Sequence, residues 1–295
     1  MPISKERVKS WSDKPLKYKA NVYPQCNDGG DAPRNFFVAI FCGSRASGKT
    51  HTMCQLLKHY EKHKIYDPVT GHEMAQRIIL FSPTYDANPV WTSLKHLDED
   101  DVHASYTDER LKAVVKDIQE QKLATDKYKL ALQLWQKYNR VRSLNELTDA
   151  ELMELESWSF ELPEKPTYPH GCVTTILFDD LVGSSALRNG KSALNYLAIR
   201  NRHLQVNIGL LVQGMRQVPK IIRQNTNVFA IWKFANKKVV LEDLYEEVSN
   251  CLKPDEFEQL YEYCTEEEHG AMIMDFSQSK ERRFKRGFAE VVRIC

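Results

Sequence analysis

Five apolar runs punctuate the chain: Phe36 to Cys42, Ile78 to Phe81, Cys172 to Phe178, Val206 to Val212 and Val228 to Phe234 (the last interrupted by Lys233). They are largely continuous rather than alternating, and four of them are rich in Val and Ile. That pattern predicts strands buried on both faces, as in a parallel sheet covered by helices. Between them the apolar spacing changes to that of a helix. Met53, Leu56, Leu57 and Tyr60 share one helical face, as do Leu194, Leu197 and Ala198. Strands alternating with helices predict an α/β fold with a mainly parallel sheet. Residues 105–170 depart from this rhythm and read as a helical insertion. One stripe is Leu111, Val114, Val115 and Ile118; another is Tyr128, Ala131, Trp135 and Tyr138, read as packing rather than as a base-stacking platform. Thr148-Asp149-Ala150-Glu151 is a capping box opening a further helix. Beyond Phe234 the pattern weakens to acid-rich helices through Leu241–Val248 and Phe257–Tyr263 and candidate strands at 271–276 and 288–294. The expected division is an arm at 1–35, a core at 36–235 and a C-terminal annex at 236–295.

Charge alters the picture only locally. The chain has 295 residues, 27% charged and 42% apolar, with a net charge of +1. That is a globular composition with no global attraction to nucleic acid, so any such contact must come from patches. Two are visible. The arm carries Lys5, Arg7, Lys9, Lys14, Lys17 and Lys19 with Trp11, Tyr18 and Tyr23 among them; it reads as a nucleic-acid or neighbour contact, or as a solvated lead-in that packs on the core edge. Lys280 to Arg286 reads equally as a DNA-facing loop or a solvated hairpin tip. The seven cysteines form no C-x-x-C pair, which fits a reduced, intracellular protein without a zinc ribbon or disulfide framework. His51, His59 and His63 read as surface residues, since no carboxylate or cysteine shares their helical face. No secretion signal and no membrane span is visible.

The chemistry begins where the first apolar run ends. Gly43-Ser44-Arg45-Ala46-Ser47-Gly48-Lys49-Thr50 is G-x-x-x-x-G-K-T between a strand and a helix, the P-loop pattern in its structural context. Its glycines let successive N–H groups face a phosphate at a helix N-terminus. Lys49 would reach the β- and γ-phosphates of ATP, and the Thr50 hydroxyl would ligate Mg²⁺. The third run ends in Asp179-Asp180, the acids that the second half of such a site needs. Asp179 would hold Mg²⁺, and Asp180 would orient or deprotonate the attacking water. Gln213, closing the fourth run, reads either as a sensor of the γ-phosphate and water or as a plain strand end. The site so predicted spans the tips of two neighbouring strands.

This order, with Arg200-Asn201-Arg202-His203, Asn207-Ile208-Gly209-Leu210-Leu211-Val212-Gln213, Pro219, and Ile222-Arg223-x-Asn225, resembles the FtsK/HerA superfamily. More narrowly it is similar to the poxvirus-type genome-packaging ATPases of large DNA viruses and virophages, a branch that Phe81-Ser82-Pro83-Thr84-Tyr85 and Asp179-Asp180-Leu181 also fit. The resemblance covers about residues 36–235. It implies a RecA-like core, a homo-oligomeric ring (hexamer or pentamer), double-stranded DNA and a capsid or portal component as partners, and an arginine supplied to a neighbour's ATP. Arg202 is the first candidate for that arginine, with Arg200 and Arg223 behind it. It also implies action in the host cytoplasm or a viral factory, with or without the virion. One departure is Asp180, where many members have Glu; it leaves the base open between Asp180 and a water positioned by Gln213. A terminase-like or other P-loop DNA motor and a non-hydrolysing, nucleotide-gated assembly scaffold remain as alternatives.

Overall fold

The computed structural model describes residues 23–181, 184–188, 192–236, 242, 244–245 and 252–293; residues 1–22, with the basic run of the arm, and most of the helix expected at 241–248 lie outside them. The chain enters through β1 (Gln25–Cys26) and reaches β2 (Val38–Cys42), which leads into α1 (Lys49–His63). Next come β3 (Ile65–Tyr66), β4 (Glu73–Phe81) and β5 (Val102–His103). The insertion is helical as its pattern predicts, with α2 (Asp108–Tyr138) joining both stripes in one helix, then α3 (Asp149–Ser157) behind its capping box. The chain returns through β6 (Cys172–Asp179), α4 (Ser185–Arg188), α5 (Ala193–Leu204), β7 (Val206–Val212), α6 (Lys220–Asn225) and β8 (Val228–Trp232). It closes with α7 (Pro254–Cys264), β9 (Ala271–Asp275), β10 (Phe284–Arg286) and β11 (Glu290–Val291).

These strands form one sheet in the order β1-β3-β4-β6-β7-β2-β8-β9-β10-β11, with β5 paired to β4. The five strands β4-β6-β7-β2-β8 are mutually parallel, so their C-terminal tips share one edge. This is the α/β, mainly parallel architecture that the apolar runs predict. One expectation is corrected: β2 and β6 are not neighbours. β7 lies between them and is hydrogen-bonded to both. Local sequence carries no information on that order, because each parallel crossover is closed by a helix that can land on either side.

The continuous apolar runs arise because the sheet is covered on both faces. Along β2, Val38, Ile40 and Cys42 join α5 and α7 residues in one buried cluster, whereas Ala39 and Phe41 join Met53, Leu56, Leu57 and Tyr60 of α1 in the other. Each face alternates with period two, and both faces are apolar. Gly209 in β7 fits this packing: a Cβ there would come within 2.8 Å of Leu177 and of Met53.

Two asparagines of the 200–207 motif bracket the entry to β2. Phe36 is bulky yet has φ 67°, a conformation that needs support. Asn207, buried in β7, accepts from the Phe36 and Phe37 N–H groups and donates to Asn35 and to Thr175, both at 3.1 Å. Asn201 donates to the Phe36 carbonyl at 2.7 Å.

The tail builds onto the same sheet, with β9 antiparallel to β8 and β10 antiparallel to β9. The strand expected at 288–294 is only Glu290–Val291, and the basic run holds another strand, β10. That run begins exposed at Lys280 and Glu281, but its later basic residues are held by the protein itself. Lys285 is buried and donates to the Asp31 carbonyl, Arg282 pairs with Asp31, and Arg286 pairs with Glu267 at 2.8 Å while covering the Tyr263 ring. No described helix is long and apolar enough to cross a membrane.

Candidate functional site

Three parallel strand tips and one helix start meet at the C-terminal edge of the sheet. β2 runs into the P-loop, β6 ends in Asp179-Asp180, and β7 between them ends in Gln213. The register aligns Cys42 with Val212 and Leu211 with Asp179, so all three chains leave the sheet at the same height. They surround an open cavity of about 560 Å³ lined by Arg45 to His51, Thr84, Asn88, Asp179, Asp180 and Gln213, among others.

The P-loop geometry follows from its residues. Gly43 is required by close approach: a Cβ would lie 2.5 Å from Ser47 Oγ and 2.9 Å from the Trp232 Cβ. Gly48 caps α1 with φ 104°, where a side chain is strained. The first turn of α1 contains no acid, which leaves its N–H groups and dipole free to attract an anion. Lys49 Nζ folds back and donates to the Gly43 and Ser44 carbonyls at 2.8 and 2.7 Å. Burial holds its pKa below the usual lysine value, against the upward pull of Asp179.

Asp179 is 6% exposed at the tip of β6. Burial, reinforced by the neighbouring Asp180, lifts its pKa to about 6, against the opposing pull of Lys49. Ser82, directly after β4, donates to Asp179 at 3.4 Å. Asp180 adopts a left-handed conformation, φ 52°, which Asp tolerates better than most residues. It accepts a hydrogen bond of 3.0 Å from the Gln213 amide.

These groups fit a magnesium–triphosphate. The Thr50 hydroxyl and Asp179 carboxylate are the hard oxygen donors that Mg²⁺ selects. A cation beside Asp179 would reverse the burial that now resists its ionisation. Ser47 Oγ is buried in the loop without a hydrogen-bond partner, an orphan that a phosphate oxygen would satisfy.

The structure therefore brings together Arg45 to Thr50, Asp179, Asp180 and Gln213, whereas Gly43 and Ser44 do not line the cavity. Arg200 and Arg202 are exposed near the C-terminus of α5, at the start of β7, and do not line this cavity. Arg223 lies in α6, also away from it. Sequence reasoning missed the support from the tail. The Trp232 indole donates to the His269 carbonyl at 3.1 Å, and His269 Nδ1 lies 3.3 Å from the Ser47 carbonyl. No local motif signals that contact across 222 positions.

No protein-family model matches the chain, and no curated protein matches it. Among solved structures it is similar to the genome packaging NTPase B204 from Sulfolobus turreted icosahedral virus 2 in complex with AMP. Identity is 12% and the TM-score 0.46, over 85% of this chain and 96% of that one. It is also similar to ATPases 2 and 3 of EssC from Geobacillus thermodenitrificans, at 16% identity and TM-score 0.36, over 68% and 32%. The cytoplasmic domain of the type VII secretion ATPase EccC from Thermomonospora curvata gives 13% and 0.37, over 83% and 25%.

Proposed function

We propose that this chain is an ATP-hydrolysing motor that drives double-stranded DNA into a viral capsid as one subunit of a homo-oligomeric ring. The observation that carries the ATPase reading is the convergence of Lys49, Thr50, Asp179, Asp180 and Gln213 on one open cavity, with Gln213 bonded to Asp180. The packaging role rests on the sequence resemblance of the 200–225 segment. In this reading Lys49 leaves the Gly43 and Ser44 carbonyls for the β- and γ-phosphates. Thr50 and Asp179 hold Mg²⁺, which when bound neutralises charge on the phosphate oxygens. Asp180 accepts a proton from the attacking water, and the Gln213 amide, already donating to that carboxylate, keeps its carbonyl to orient the same water. Asp is one bond (~1.5 Å) shorter than Glu, and the Gln213 contact fixes the carboxylate in compensation.

An arginine completes the site from a neighbouring subunit. Arg202 is proposed for that role, because it lies at the opposite end of β7 from its own cavity and is exposed there. DNA is held through its phosphates rather than read base by base, so binding falls steeply with salt. A terminase-like motor needs carboxylates converging in the tail; among the described residues no such cluster lies there. The deciding experiment measures ATP turnover of the wild type and of Asp180→Ala, with and without duplex DNA. The motor reading expects DNA-stimulated turnover that Asp180→Ala abolishes. No turnover by the wild type in either condition would replace the motor with a nucleotide-gated scaffold, and metal-dependent DNA nicking would favour the terminase-like reading.

A further inference from the structure

We propose that Cys26, Asp28 and His59 form a binding site for one zinc-like divalent metal ion, at the opposite end of α1 from the P-loop. The Cys26 Sγ, an Asp28 carboxylate oxygen and a His59 ring nitrogen all lie within 4.8 Å of one another. Among the described residues no other set of three His, Cys, Asp or Glu side chains converges in this way. His59 is a partly exposed histidine with a carboxylate and a cysteine beside it, although none shares its helical face. Its carboxylate and cysteine come not from its own helix but from β1 and the turn after it, some thirty positions earlier.

The donor types choose the metal. One sulfur, one imidazole nitrogen and one carboxylate oxygen suit tetrahedral Zn²⁺, whereas Mg²⁺ and Ca²⁺ take oxygen ligands alone. A thiolate and a carboxylate together balance a divalent charge. The site is also built around its ligands. The Asp28 side chain is 2% exposed, and its two oxygens accept from Gly30 N at 2.9 Å and Ala32 N at 2.7 Å. Its Oδ2 faces His59 Nε2 at 2.9 Å. Supporting bonds of this kind orient a metal ligand before the metal arrives. His63, one turn further along α1, lies tilted against His59 with ring centroids 4.3 Å apart and sets its Nδ1 3.3 Å from the Asn27 carbonyl. The three donors leave the fourth tetrahedral position to water.

The site has structural work to do. β1 is two residues long and pairs with β3 at two positions, too little to hold an edge strand alone. A metal bridging β1, the Asp28 turn and the penultimate turn of α1 would fasten the segment that leads to Phe36 and the P-loop strand.

The full chain would be stripped with chelator, desalted, and titrated with Zn²⁺ against a chromophoric chelator. One Zn²⁺ per chain is expected. Cys26→Ser and His59→Gln should each weaken binding at least about 100-fold, since even outer-shell substitutions weaken metal sites by 10–100-fold. Co²⁺ should give a thiolate charge-transfer absorption that Cys26→Ser abolishes and Cys172→Ser preserves. Cys26 is half-exposed, so Cys26→Ser keeps the fold, as far-ultraviolet circular dichroism would verify. Substoichiometric Zn²⁺, retention of wild-type affinity by Cys26→Ser, or an equal loss in Cys172→Ser would overturn the site.

Discussion

Replacing Asp179 with Asn isolates the energetics of the candidate site in the absence of nucleotide. In the folded chain the Asp179 carboxyl titrates near pH 6, against 3.8 when unperturbed, because burial and then Asp180 oppose its charge. Between these two values the folded state binds more protons than the unfolded state. Stability therefore falls as pH rises through that window and stays lowered above it. At about 1.4 kcal/mol per tenfold change in proton affinity, an ionised Asp179 destabilises the metal-free fold by about 3 kcal/mol at neutral pH. Asn is isosteric, carries no charge, and still accepts from Ser82. In chelator, Asp179→Asn should melt about 5–10 °C above wild type at pH 7.5, with the gap closing toward pH 4. Thermal unfolding followed by circular dichroism across that range is the assay. Adding Mg²⁺ and ATP should stabilise wild type more than the variant, since only wild type gains an ion against the carboxylate. A variant that melts at or below wild type at pH 7.5, or a gap that does not narrow on acidification, would refute the reasoning.

Lys49→Ala should keep the fold and weaken ATP roughly 10- to 100-fold, the worth of a charge-assisted phosphate contact, as calorimetric titration would measure. Arg202→Ala should bind ATP normally but lose roughly a thousandfold in turnover, recovered when mixed with subunits carrying Lys49→Ala; wild-type turnover by Arg202→Ala alone places the arginine elsewhere. Asn207→Ala should destabilise by about 3 kcal/mol, because it strands two buried N–H groups at the entry to β2, and urea unfolding would report the loss.

Features carried by adjacent residues were legible in the sequence. The P-loop is eight consecutive residues, the acid pair closes one apolar run, and each buried strand announces itself by its length and composition. Features made between distant residues were not. The place of β7 between β2 and β6 depends on crossovers, so the site was expected on neighbouring tips. The basic run looked like surface because Asp31, which takes Arg282 and Lys285, lies some 250 positions away. His59 looked partnerless because Cys26 and Asp28 arrive from another element. The 200–225 segment that carried the family resemblance is partly scaffold: Asn201, Asn207 and Gly209 hold backbone and allow packing. A pattern search weights such residues equally with those that line the cavity.

β7 has one more implication. It is buried along its whole length and laced to a partner on either side, so it behaves as a stiff rod of seven residues, about 23 Å long. At one end a single residue, Gln205, joins it to the helix bearing Arg200 and Arg202; at the other sits Gln213 against Asp180. In the proposed ring, a load applied to the arginine-bearing surface by an adjoining subunit would thus arrive at the Asp180 carboxylate without passing through any loop. Were the proposed ring to form, its firing order would be written into one uninterrupted piece of backbone.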